Sequence, residues 1–408
     1  MTNATCLPIE KGRPFGAPTN TLTYAAGVAT PACSGAPRRG ARGAAIHLQY
    51  AMLLLALVFC SCGNATTGSS DTVPLDEAIG QMLLVGFRGT GIDDANHIVR
   101  DLRDYHVGSV ILFDYDAPTG TRGRNIQSAD QLQRLCSQLR SINPALLVGI
   151  DQEGGRVSRL SPRYGFPAVP TAKRLAALGD DSLRHYAALT ADMLHSLGIN
   201  LNFAPVADVD VNPDCPVIGK LERSFSADTA VVAACCSIWV NEQWKREVVS
   251  CLKHFPGHGS AKGDTHKGLV DVTKTWQRSE LAPYRDVSRA GMVMTAHVIN
   301  RQLDPSGLPA SLSPRITSLL RDTLGFQGVI VTDDLAMGAI TDHYSLEETL
   351  RLALLAGADL LCLSNNGRQY DPDLVPKVVA IIKGLVADGT VSADRIQRSA
   401  ARIRRLQG

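Results

Sequence analysis

The chain is 408 residues long, room for one large or two ordinary domains, and its 45% hydrophobic and 20% charged residues are ordinary for a soluble globular protein. A formal charge of +2 offers no strongly basic face, so no nucleic-acid partner is expected. Beyond the N-terminal region the cysteines Cys136, Cys215, Cys235, Cys236, Cys251 and Cys362 are scattered without a Cys-x-x-Cys pair, which argues against a thiolate zinc site.

Residues 1–70 stand apart. They are rich in Ala, Gly, Pro and Thr, carry Arg38, Arg39 and Arg42, and show no helical or strand periodicity. Within LQYAMLLLALVFCSCGNATTGSS (48–70) the apolar run from Ala51 to Cys60 is too short to span a bilayer. It has the length of a signal-peptide core, with positive charge before it and a polar linker after it. Cys62-Gly63 resembles a bacterial lipobox, whose cysteine is lipidated after cleavage, although Phe59 stands where Leu is usual. The expectation is an exported protein, periplasmic or membrane-anchored through lipid on Cys62. The alternatives are an ordinary cleaved signal, or a true start at Met52 and a cytoplasmic protein. A single domain is expected over residues 71–408.

From there short apolar runs alternate with amphipathic stretches. The strand candidates are 81–87, 107–113, 145–151, 199–206, 248–255, 292–298, 328–334 and 359–364, apolar on both faces as buried parallel strands are. Between most of them lie helical patterns. Residues 129–142 place Leu132, Leu135, Leu139 and Ile142 on one face. Residues 181–198 take Asp181 or Ser182 as cap and Gly198 as stop. Residues 313–325 open Ser-Pro and close on Gly, and 345–358 open on Ser with Glu348 three residues on. Strand alternating with helix predicts a (β/α)8 TIM barrel. The competing open doubly wound sheet would carry a Gly-x-Gly-x-x-Gly turn, which is absent here.

In a barrel, chemistry sits on the loops after the strands. Those ends read Asp151, then Asp208 and Asp210, Lys253-His254, His297, Asp333-Asp334 and Asn365-Asn366, a set of polar residues all predicted to meet at one mouth. KHFPGHGSAKGDTH (253–266) is the densest stretch and could hold a metal, cradle an anion or shuttle a proton. Plainer roles compete for single residues. One of Asp333 and Asp334 suits a helix cap, His258 between glycines suits fixing its loop, and His185 and His195 suit surface or packing.

KHFPGHG followed by Asp-Thr-His resembles the family 3 glycoside hydrolases of β-N-acetylhexosaminidase type. So do DQEGGRV (151–157), NLNFAPVADVDVNP (200–213), ERSFSAD (222–228) and TDDLAM (332–337), and the likeness runs from about Leu75 to the C-terminus. It implies a β-N-acetylglucosaminide substrate, a muropeptide or a chitooligosaccharide, cleaved with retention and without metal or cofactor. It assigns Asp333 as nucleophile, kept ionised by nearby Lys253 and Arg223, and Asp264 with His266 as the acid/base pair. Asp151, Arg223, Lys253 and His254 would hold sugar hydroxyls, and Arg156 the acetamido or aglycone side. The loop reads GHGSA where relatives often read GHGDT, so one acidic loop contact is missing. The leader also departs from the cytoplasmic peptidoglycan-recycling members.

Readings from other classes compete. A metal-dependent barrel hydrolase would use His254, His258, His266 and Asp333 as ligands, but such barrels usually end strand one in His-x-His, and here it ends VGFRG. A non-catalytic sugar-binding lipoprotein has Asp333, Asp264 and His266 intact against it. Phosphate in place of water as acceptor stays open, because a histidine acid does not repel it.

Overall fold

The computed structural model describes residues 72–285 and 289–407, so the leader reading, with Cys62, lies outside the described residues. Eight strands pair side by side in parallel: β1 (Leu83–Gly86), β2 (Ser109–Leu112), β3 (Leu147–Ile150), β4 (Leu201–Asn202), β5 (Val249–Phe255), β6 (Met292–Thr295), β7 (Val329–Thr332) and β8 (Leu361–Leu363). The order across the sheet is β7-β6-β5-β4-β3-β2-β1-β8. A parallel bridge from Val331 to Leu360 joins the two ends, with Thr332 N–H donating to the Leu360 carbonyl at 3.1 Å. Apart from Val249 every strand residue is buried, which explains the Val/Ile/Leu runs without polar alternation. The expected (β/α)8 barrel is what forms, with helices outside the strands.

The helix signals differ in detail. Ala129–Ile142 buries Leu132, Leu135 and Leu139 and starts where the Ser128 side chain accepts the Gln131 N–H. Ser345 caps Leu346–Ala356 through the Glu348 N–H, and Gly357, at φ 105°, ends it. Asp180–Ser196 begins earlier than expected and without a side-chain cap; Asp180 and Asp181 instead sit in its first turn, complementing the helix dipole. Pro314–Ser318, capped by Ser313, passes into a wider π-turn over Leu319–Thr323 rather than running regularly to Gly325.

Two connections break the simple repeat. The run 199–206 forms only a two-residue β4, since Pro205 has no N–H to offer a neighbour; Val206 then rejoins the sheet by a bridge to Lys253. Between β5 and β6, among the described residues, the crossover holds a 3₁₀ helix, Arg278–Tyr284, with Pro283 inside it, in place of an α-helix. The six described cysteines are buried and unpaired.

The β7–β8 seam rests on few backbone bonds and is reinforced by one carboxylate. Asp359, fully buried just before β8, accepts from the Ile330 N–H at 3.0 Å and from Arg321, and on its other oxygen from Ser399 Oγ at 2.6 Å and Arg402 Nη1 at 3.0 Å. It therefore ties β7, β8 and the C-terminal helix Ala393–Gln407 together. Removing one partner of such a buried cluster costs about 3–5 kcal/mol because the cations are left uncompensated. Asp359→Ala is expected to lose that much in urea unfolding; a loss below about 1 kcal/mol would show that the seam does not depend on it.

Candidate active site

Lys253 and His254 are consecutive in β5, and successive strand residues ordinarily face opposite sides. Both nevertheless line one cavity, at a point where the β5–β6 register shifts. Lys253 Nζ lies 2.7 Å from both Asp151 Oδ1 and Glu153 Oε1, and Arg223 grips Glu153 with two bonds of 2.7 Å. Burial alone would raise the Asp151 carboxyl, but Lys253 and Arg159 outweigh it and hold it well below the usual carboxylate range. Glu153 is lowered in the same way against its burial, by Arg223 and Lys253. The two cations are held above their ordinary values by the same contacts, again against burial.

Asp208, buried after β4, organises the start of the next loop. It accepts the His254 N–H at 3.2 Å, the His254 ring at Nδ1 (2.6 Å) and the His258 N–H at 2.7 Å. An ionised carboxylate only accepts, so the His254 proton sits on Nδ1 and Nε2 is left facing Arg223 Nη2, 3.4 Å away. His258 is turned away from the cavity: its Nε2 meets Thr265 Oγ1 at 3.2 Å, and burial with His254 nearby lowers it to about 4, so the ring is neutral. Gly259 lets the loop lie against the backbone of β4's extension, where a Cβ would stand 1.8 Å from the Val209 carbonyl oxygen.

The loop then folds back to the end of β7. Ala339 N–H donates to the Thr265 carbonyl at 3.0 Å and Gly338 N–H to the His266 carbonyl at 3.3 Å; a Cβ at Gly338 would come within 2.7 Å of that oxygen. These tethers anchor the loop. Asp264 Oδ1 accepts both the His266 N–H at 2.9 Å and its ring at Nδ1, 2.8 Å, leaving Nε2 free. His266 is 68% exposed at its side chain and Asp264 20%. Burial raises the Asp264 carboxyl, but the His266 amide and ring outweigh it and lower it.

Asp333 follows β7 and is bonded by the Asp334 N–H at 2.8 Å. Burial raises its carboxyl, yet His297, His254, His266 and that amide bring it below its ordinary value. The Lys253 and Arg223 charges expected to do this are engaged with Asp151 and Glu153 instead. His297 donates from Nε2 to the Asp334 carbonyl at 2.9 Å and meets Ser311 Oγ at 2.7 Å through Nδ1, and burial lowers it. Asp334 is raised by burial and binds the Ser364 and Ala336 N–H groups, each at 3.1 Å, as a turn cap. The two adjacent aspartates are thereby pushed apart.

The cavity, about 390 Å³, is lined by Asp151, Arg223, Lys253, His254, His266 and Asp333, over an apolar wall that includes Phe113, Met294 and Met337. Such a mixture suits a sugar, whose faces are apolar and whose edge carries hydroxyls. Arg156 is not in it: it is exposed on a neighbouring depression, and Arg159, bonded to Asp151 at 3.3 Å, takes the cavity position. The short ribbon Gln152–Gly154 with Val157–Ser158 turns the chain back and so presents residue 159 rather than 156. Among the described residues no three His, Cys, Asp or Glu side chains are grouped to hold a metal ion. Of the four ligands in the competing reading, His258 faces Thr265 and His254 is engaged by Asp208.

A sequence profile of the glycosyl hydrolase family 3 N-terminal domain matches residues 74–406. The chain belongs to glycosyl hydrolase family 3. It is 35% identical over 292 residues to a β-hexosaminidase of Neisseria meningitidis serogroup B, covering 68% of this chain and 75% of that protein. A family 3 β-N-acetylglucosaminidase from Paenibacillus sp. str. FPU-7 superposes with a TM-score of 0.74 at 34% identity, over 82% of this chain and 62% of that one. The chain thus spans less than two thirds of that larger relative. A β-N-acetylhexosaminidase from Beutenbergia cavernae gives 0.72 at 29% identity, over 83% of this chain and 99% of that one. This family 3 chain is a glycosidase, and its named relatives group it with the β-hexosaminidases.

Sequence reasoning missed Glu153, Arg159 and Glu280. A carboxylate two residues after Asp151 beside a buried lysine was the available signal for Glu153. Glu280 carried none: it enters from the 3₁₀ helix to lie under the loop, with Oε1 accepting the Gln277 N–H at 2.9 Å and Oε2 buried without a partner among the described residues. A Cβ on Gly257 would stand 2.7 Å from that oxygen. Burial raises Glu280 from 4.5 to about 7, outweighing the Gln277 amide. The folded protein therefore keeps a proton that the unfolded chain releases, and this contribution is complete below pH 4.5 and lost as pH rises through about 7. Glu280→Gln should gain stability over wild type across that window, reaching about 2–3 kcal/mol at pH 8. Chemical denaturation at pH 4.5 and 8 checks it; a difference independent of pH would contradict it.

Proposed function

We propose that the protein removes terminal β-linked N-acetylglucosamine from peptidoglycan fragments or chitooligosaccharides by a two-step retaining reaction. The observation that carries this reading is that the Asp333 carboxylate and the His266 ring line one cavity from different strands, with His266 Nδ1 bonded to Asp264 at 2.8 Å. In the first step an Asp333 oxygen attacks the anomeric carbon. As the glycosidic C–O bond breaks, His266 Nε2–H passes its proton to the departing oxygen. In the second step Nε2 takes a proton from water, the hydroxide attacks the same carbon, and the bond to Asp333 breaks. Two inversions give overall retention.

Asp264 holds the Nδ1 proton in place and stabilises the imidazolium that precedes the first step and is restored by the second. A ring nitrogen that has donated its proton can accept one again, so a single histidine serves both steps. Asp151, Arg159, Lys253 and His254 would bind hydroxyls; Arg223 acts mainly by holding Glu153 and bordering His254. Export, the leader over 1–70 and lipidation of Cys62 belong to the same reading and rest on the sequence pattern alone.

Turnover of an N-acetyl-β-glucosaminide tests the activity, and the leaving group tests the role of His266. His266→Ala is expected to lose about 10²–10⁴-fold in kcat/KM on chitobiose, whose leaving oxygen needs a proton, and far less on the 4-nitrophenyl glycoside, whose leaving group does not. Equal losses on both substrates would remove the proton-transfer role.

A further inference from the structure

The loop that carries His266 leaves β5 through Pro256 and Gly257, and the chain that follows the loop seats it there. Trp276 donates its indole N–H to the Pro256 carbonyl at 3.0 Å, and the Gly257 N–H returns to the His254 carbonyl at 2.8 Å. Beneath Gly257 lies the Glu280 carboxyl, only 1% exposed. With φ at 126° and Glu280 Oε2 crowding the place of a Cβ, glycine is the residue that fits at 257. Oε1 of Glu280 is satisfied by the Gln277 N–H, whereas Oε2 has neither a donor nor a cation among the described residues.

The titratable groups around it offer a carboxylate no compensation. Asp208 is already ionised and engaged by His254 and His258, and Lys253 on β5 is committed to Asp151 and Glu153. Tyr284 in the same 3₁₀ helix, Cys236 from the helix Thr229–Trp244 and Cys251 from β5 are all kept neutral by burial. The His258 ring is neutral as well. Glu280 is therefore a neutral acid that gives up its proton only near pH 7.

Ionisation sets an uncompensated charge in the same buried region as the Asp208 carboxylate, a state that a side chain relieves by turning toward water. That turn takes the support from under Gly257. His258 follows directly, and its ring meets Thr265 Oγ1 at 3.2 Å, on the residue before His266. We propose that Glu280 is a positioning residue for His266: the neutral acid seats Gly257, so that His258 and Thr265 hold His266 at the cavity, and the carboxylate form releases it. The inference rests on the proposed glycosidase reading, since it takes His266 as the proton donor.

Glu280→Gln keeps the shape of the neutral acid and cannot ionise. The test reads the ratio of kcat/KM on chitobiose, variant to wild type, from about pH 6 to about pH 8.5, where circular dichroism shows both proteins folded. The titration of His266 is common to both proteins and cancels in the ratio. The ratio is expected to lie within about twofold of one at the acid end and to rise about tenfold or more at the alkaline end. On the 4-nitrophenyl glycoside, which has little need of His266, it should stay within about twofold throughout. A ratio independent of pH, or one that rises equally on both substrates, overturns the inference. If neither substrate is cleaved, the glycosidase reading fails, and amide hydrogen exchange of residues 256–267, corrected for its intrinsic pH dependence, decides the positioning separately. Protection that falls about tenfold across the same range in the wild-type protein and is kept in Glu280→Gln supports it. Unchanged protection in the wild-type protein, or the same fall in the variant, overturns it. Were the variant not to fold, the fall or constancy of wild-type protection in this loop decides alone.

Discussion

Two cations and two carboxylates meet at the buried end of β5, where Lys253 bridges Asp151 and Glu153 and Arg223 clamps Glu153. Lys253, Glu153 and Arg223 are each no more than 11% exposed at the side chain, so none could remain charged there alone. Each charge is tolerated because the others are in place. The cluster concentrates charge at this end of the barrel, where the catalytic cavity opens. Its residues come from β5 and from the connections after β3 and β4, so correct closure of the barrel is a condition for the site to exist.

The second constraint is the path of the loop after β5. Asp208 accepts the two histidine amides at its start, and Thr265 and His266 give their carbonyls to the amides of Ala339 and Gly338 beyond β7. Asp264 and His266 are thereby brought toward Asp333, although seventy or so residues separate them in sequence. His266 remains the most exposed member, at 68%, which suits a group that must meet both a leaving oxygen and a water. His258, central to the sequence motif, serves this path from behind, through Thr265 and Asp208.

The barrel was legible because its strands are buried on both faces and its helices carry caps such as Ser128, Ser313 and Ser345. β4 was overestimated because apolar content does not report the missing N–H of Pro205. The β5–β6 crossover departed from the repeat where Pro283 interrupts regular bonding. Most of the cavity could be read from strand ends, since a barrel sends those to one mouth. Arg156 lies beside the catalytic cavity rather than in it for a local reason: the returning ribbon brings Arg159 to the cavity, and hairpin register is not written in spacing alone. The low Asp333 carboxyl comes from the histidines and an amide rather than from Lys253 and Arg223, because those two cations are already paired with Asp151 and Glu153.

The central chemical claim is that Asp333 forms a bond to the sugar. An N-acetyl-β-glucosaminyl fluoride bearing a second fluorine at C5 tests it most directly. That substituent slows both steps by destabilising positive charge at the anomeric centre, while the fluoride leaving group keeps the first step fast. Mass analysis of peptides from the inactivated protein should find one sugar attached to the peptide carrying Asp333, and none in Asp333→Asn. An active enzyme that shows no adduct, or one on another residue, would contradict nucleophilic attack by Asp333.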